Sequence, residues 1–67
     1  MQRYFVKEKN NNNLILETDD MHHIKNVMRN KIGDLIECIY KEKLYICKII
    51  DPNNNYVEII EEKKDNN

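Results

Sequence analysis

The sequence predicts a mostly β fold with one helix, a small barrel with the element order β-β-α-β-β-β. Three observations carry that prediction. About five short runs rich in β-branched, aromatic and aliphatic residues alternate with polar turns. One stretch alone, residues 21–30, carries apolar residues at helical spacing. Strands this short leave exposed edges on an open sheet, and closure removes them.

The first run, residues 2–6 (QRYFV), reads as a strand with Arg3 and Phe5 on one face and Gln2, Tyr4 and Val6 on the other. KEKNNNN then reads as a polar loop, because asparagine accepts left-handed backbone; the run at 53–55 has the same explanation. Residues 14–18 (LILET) form a second strand. Thr18, Asp19 and Asp20 offer helix caps, and the acidic pair suits the positive end of the helix dipole. The helix should run from about residue 21 to 30 and stop before Gly33. KIGD turns the chain into Leu35–Tyr40, and a tight polar connection, Lys41, Glu42 and Lys43, leads to residues 44–50. DPNNN is a turn fixed by Pro52, residues 56–60 make the last strand, and EEKKDNN reads as a solvated end.

Sixty-seven residues make one domain, 1–67, with no internal repeat or linker. A domain this small buries only about 60% of its unfolded surface, which leaves little room for a deep pocket. Its 40% hydrophobic and 34% charged residues suit a folded, soluble unit. A net charge of -1 excludes a strongly basic nucleic-acid binder on bulk charge alone, so anion binding must come from local clustering. No apolar stretch approaches the roughly 20 residues that cross a bilayer, and the start has charges within its first apolar run, unlike a signal peptide. Cys38 and Cys47 sit in strand interiors and read as two small core residues in neighbouring strands. The expected setting is reducing and cytoplasmic.

On the helix, Met21, Ile24, Val27 and Met28 share a core-facing sector. His22, Lys25 and Arg29 gather nearly opposite, with Asn26 beside them, so several donors point the same way. The adjacent histidines therefore separate. His23 falls on the flank of the core stripe and reads as partly buried, hydrogen-bonded and structural. His22 lies on the polar face, which suits a solvated surface and a binding surface equally. Adjacent helical residues diverge, and no Cys, His, Asp or Glu follows either histidine at four positions, so the doublet is a poor zinc site. The cysteines are not poised beside an imidazole, and Gly33 is the only glycine, so no phosphate loop is present. No catalytic, cofactor or metal residue is assigned.

MQRYFV followed by DDMHHIKNVMRNKIGDLIECIY resembles the amino-terminal domain of the RsmE family, bacterial methyltransferases that modify N3 of a uridine in 16S ribosomal RNA. The family pattern begins M-x-R-[FY]-F-V. It continues with an acidic pair, H-H-I-x-x-V-[LM]-R, a short spacer and G-D-x-I-x-V. Arg3, Phe5, His22, His23, Ile24, Val27, Arg29, Gly33 and Asp34 fall on those positions in order. The resemblance covers about the first forty residues. It departs at YKEKLY, where the family usually turns on Asp-Gly, and at Cys38, a place often taken by valine.

The resemblance implies a PUA-like barrel that binds and positions ribosomal RNA. It also implies a following SPOUT domain that binds S-adenosylmethionine, carries the transfer chemistry and lies outside this chain, and a homodimeric full-length enzyme. The Met1 start and charged end fit an N-terminal piece of such a protein. The partner is then 16S rRNA or the small ribosomal subunit. Arg3, Lys25, Arg29 and Lys31 would contact phosphate, His22 and Asn26 would bond sugar or base, and an exposed Tyr4 would stack. The competing reading is a protein-interaction or dimerisation module, with Arg29 facing a carboxylate.

Overall fold

The computed structural model describes residues 3–63. Seven elements follow one another: β1 (Arg3–Val6), β2 (Glu8–Asn10), β3 (Asn13–Ile15), α1 (Thr18–Asn26), β4 (Leu35–Tyr40), β5 (Lys43–Asp51) and β6 (Tyr56–Lys63). The six strands form one sheet in the order β1-β4-β5-β6-β3-β2, with β1 parallel to β4 and every other pairing antiparallel. Its two edge strands are consecutive in sequence and separated by Lys7 alone, so the sheet curls into a half-barrel. Register shifts at Ile46/Cys47 and Ile49/Asp51 let the long β5–β6 pair bend around that curve.

The concave face holds the core. Tyr4, Val6, Leu14, Leu16, Ile36, Cys38, Tyr45, Cys47, Ile49 and Val57 pack there, and α1 adds Met21 and Ile24. Alternation in β1 follows the sequence expectation, with Arg3 and Phe5 exposed and Tyr4 and Val6 buried; Gln2 lies outside the described residues. Both cysteines are buried and free, on neighbouring strands.

Four expectations need correction. KEKNNNN is not wholly loop: Glu8–Asn10 pairs with β3 across a two-residue turn, and Asn11 is left-handed at φ 57. The ladder uses backbone groups alone, so a strand without one apolar side chain leaves no periodic signal. Asn12 also accepts from the Ile59 amide at 2.8 Å and donates from its side chain to the Ile59 carbonyl at 3.0 Å. The final strand continues through Lys63 by pairing with β5, although residues 60–63 are exposed.

The helix is displaced toward the N-terminus of its expected span, and this bears on the site. Glu17 is its N-cap and Thr18 already helical, so Asp19 and Asp20 occupy the first turn beside the positive helix end. The helix ends at Asn26. Downstream, the Asp34 carboxylate accepts from the Lys31 amide at 2.9 Å and the Asn30 side chain at 3.3 Å. Gly33, at φ 98, donates to the Ile49 carbonyl at 2.8 Å. These bonds draw the chain off the helix path toward β5. Val27 and Met28, expected in the core, are therefore 64% and 42% exposed.

The β4–β5 hairpin shows how the chain turns without the usual glycine. Lys41 and Glu42 have φ values of 49° and 66°, the pair of left-handed residues that a two-residue hairpin of this hand demands. Left-handed backbone costs a residue with a Cβ about 1 kcal/mol. Glu42→Gly should accordingly raise stability by about 0.5–1 kcal/mol in urea unfolding; a lower midpoint would contradict the turn geometry.

Candidate nucleic-acid interface

Helix α1 lies on the barrel through Met21 and Ile24, and this orientation turns His22, Lys25 and Asn26 outward. Its N-terminal end is tied to the β5–β6 turn. Leu16 donates to the Asn55 carbonyl at 2.8 Å, and the Asn55 side chain donates to the Thr18 hydroxyl at 3.2 Å. Between helix and turn lies a cleft of about 140 Å³, lined by Thr18, His22 and Lys25 on one side and by Pro52, Asn53 and Asn55 on the other. Small-molecule sites usually span about 300–1,000 Å³, so this notch suits a phosphate or a sugar rather than an enclosed cofactor.

Asn26 has a different part from the expected one. Its amide nitrogen donates to the His22 carbonyl at 3.1 Å and lies 3.2 Å from His22 Nδ1. An amide nitrogen only donates, so this contact fits the His22 tautomer whose Nδ1 accepts and whose Nε2 carries the hydrogen. Asn26 thereby orients His22, leaving Nε2–H as the outward donor.

The remaining expected contact residues scatter. Arg29 and Lys31 are exposed in the connector beyond the helix, and Arg29 is left-handed at φ 55, so neither extends the helical face by its periodicity. Arg3 points away from α1, since its neighbour Tyr4 faces the interior with its ring centroid 6.3 Å from that of His23. The Arg3 Nε sits 3.1 Å from Glu37 Oε1 on the strand beside it, so a carboxylate already answers its charge. Tyr4 is buried and offers no face for stacking; the exposed aromatic of β1 is Phe5. His23 is half-buried against Tyr4, as its flank position suggested, but among the described residues its ring makes no hydrogen bond, contrary to expectation.

The basic residues thus fall into two groups. Arg3, Lys7 and Lys48 are paired with Glu37, Glu17 and Glu58. Among the described residues, Lys9, Lys25, Arg29, Lys31, Lys41, Lys43 and Lys63 have no such partner within 4.0 Å; of these, Lys25, Arg29 and Lys31 lie on the helix or in the connector that follows it. Asn53 and Asn55 line the cleft but carry no sequence signal of it. Their run looks like turn composition, and Asn55 is indeed left-handed at φ 66.

A small curled sheet plugged by one helix finds its counterpart in known proteins. The family model described as the RNA methyltransferase PUA domain matches residues 16–62. The chain belongs to that family. Within it, the whole chain is 43% identical to the ribosomal RNA small subunit methyltransferase E of Mesomycoplasma hyopneumoniae (strain 232), covering 28% of that protein. In solved structures, 98% of the chain superposes on 30% of a hypothetical protein with a TM-score of 0.78 and 27% identity. A predicted RNA methyltransferase from Thermotoga maritima shares the fold, with a TM-score of 0.76 at 22% identity over 91% of this chain and 29% of that one. The chain spans less than a third of the length of each of these relatives. Among the described residues, no helix of this family member is long and apolar enough to cross a membrane.

Proposed function

We propose that this unit binds and positions small-subunit ribosomal RNA for a methyltransferase that acts in the cytoplasm as a homodimer. The larger protein transfers a methyl group from S-adenosylmethionine to N3 of a uridine. In this reading S-adenosylmethionine is held by another part of that protein. Family membership and the name of the 43% identical relative support the setting. The observation that carries the contact surface is the cleft between α1 and the β5–β6 turn, lined by His22 and Lys25, with Arg29 and Lys31 exposed in the connector just beyond the helix and, like Lys25, without a carboxylate partner among the described residues.

In this reading Lys25, Arg29 and Lys31 contact phosphates. His22 donates from Nε2 to a ribose or phosphate oxygen beside the Asn53–Asn55 turn, and Asn26 is a positioning residue. Arg3 lies outside the contact surface.

RNA binding by the complete gene product across a salt series tests this. Lys25→Ala/Arg29→Ala should weaken binding roughly tenfold, each exposed ionic contact being worth about 0.2–1 kcal/mol. The slope of log affinity against log salt should fall by about two. Arg3→Ala should leave that slope intact. An unchanged slope in the double variant, or an equal loss on replacing Arg3, would remove the assignment.

A further inference from the structure

The convex face of the sheet, opposite α1, carries apolar residues where a solvated face would carry polar ones. Strand pairing sets Phe5 beside Ile39 and Ile39 beside Leu44, a row running across β1, β4 and β5. Ile46 stands opposite Glu37 in the next row. Phe5 is 71% exposed, and Leu35, on the same face at the start of β4, is 45% exposed. A shallow cleft of about 160 Å³ opens between Arg3, Ile39, Glu42 and Leu44. The Arg3–Glu37 ion pair, at 3.1 Å, lies in the row between Phe5–Ile39–Leu44 and Leu35, and Lys48 beside Leu35 pairs with Glu58 at 3.8 Å. An apolar row with a highly exposed aromatic, flanked on one side by an ion pair, is the layout of a docking surface rather than of a free face.

We propose that this convex face seats a second, larger unit of the same polypeptide. Two observations select that occupant. The relatives carry more than two-thirds of their length outside the portion this chain matches, so a covalently attached partner is part of their design. Lys63, the last residue of β6, pairs with Leu44 at the end of the Phe5–Ile39–Leu44 row, so the strand finishes beside the patch. A tethered unit meets this surface at high effective concentration, and a modest apolar patch then suffices. The docked unit would cover the convex side and leave the helix and its connector open. The proposal stands on family membership and sheet geometry, and it survives or fails separately from the RNA-contact reading.

Hydroxyl-radical footprinting of the complete gene product decides it. Phe5, Val27 and Ile32 have similar exposure here, at 71%, 64% and 67%. After correction for intrinsic reactivity, Phe5 should be modified several-fold more slowly than Val27 and Ile32. Leu44→Glu should restore its labelling and speed proteolysis between the two units. Equal modification of the three residues, whether high or low, would overturn the proposal. So would a gene product that ends at Asn67, or protection of Phe5 that disappears on dilution, which would identify a second copy as the occupant.

Discussion

Ile24→Ala should remove most of the stability of this domain and, with it, the helix that presents His22 and Lys25. Ile24 is fully buried at the helix–sheet contact. Truncating such a side chain costs about 2–5 kcal/mol, through lost transfer energy and the cavity left behind. A domain of this size has only about 3–10 kcal/mol to lose. The helix has no independent means of support: it is 9 residues long, and isolated helices below about 12–15 residues are marginal in water. Glu17 makes no side-chain cap bond that would compensate. Urea unfolding should therefore show a sharp fall in midpoint, accompanied by loss of RNA binding. Val27→Ala, three positions on but exposed, should change stability by no more than about 0.5 kcal/mol. Similar effects at the two positions would mean that the helix is not held as described.

That contrast marks where the sequence was legible. Periodicity located Met21 and Ile24 in the core, because helix and sheet both contribute to a buried contact there. It also extended the stripe to Val27 and Met28, where the helix has already ended. What ends it is Asp34, drawing Asn30 and the Lys31 amide around itself, and Gly33, bonding to Ile49. Those interactions are long-range or loop-specific, so no local pattern announces them. Arg29 moved off the predicted face for the same reason. The alternation of Arg3, Tyr4, Phe5 and Val6 was readable, but not the Glu37 carboxylate opposite Arg3, which depends on a parallel pairing between residues 34 positions apart. Strand β2 was hidden because backbone bonding holds it. The apolar runs in β4 and β5 were visible as strands, and only their register revealed that they are apolar on both faces.

Alkaline pH should destabilise the domain well before its lysines titrate, through Cys38 and Cys47. The two thiols are fully buried on the concave face, on the diagonal of the β4–β5 ladder, with Ile36 opposite Cys47 and Tyr45 opposite Cys38. The hydrogen bond they share, and then burial, push the Cys38 thiol up from its ordinary value near 9, while the same bond lowers the Cys47 thiol against the opposing effect of burial, so the pair gives up one proton and retains the other in the native state. In the unfolded chain both thiols ionise freely. Above pH 9 the folded pair therefore holds one proton more than the unfolded chain, and stability falls as pH rises. One retained proton corresponds to about 1.4 kcal/mol per pH unit, or roughly 2.7 kcal/mol between pH 9 and 11. Tyr4 acts in the same direction above pH 10, since burial first and the Asp20 charge second raise its phenol. Urea unfolding at pH 7, 9, 10 and 11 measures the slope, and Cys38→Val/Cys47→Ala should flatten it by about that amount while leaving behind the smaller Tyr4 contribution. An identical slope in the double variant would mean that the thiols ionise in place. The interior of the half-barrel would then be wetter than the packing of Cys38, Cys47, Ile36 and Tyr45 allows.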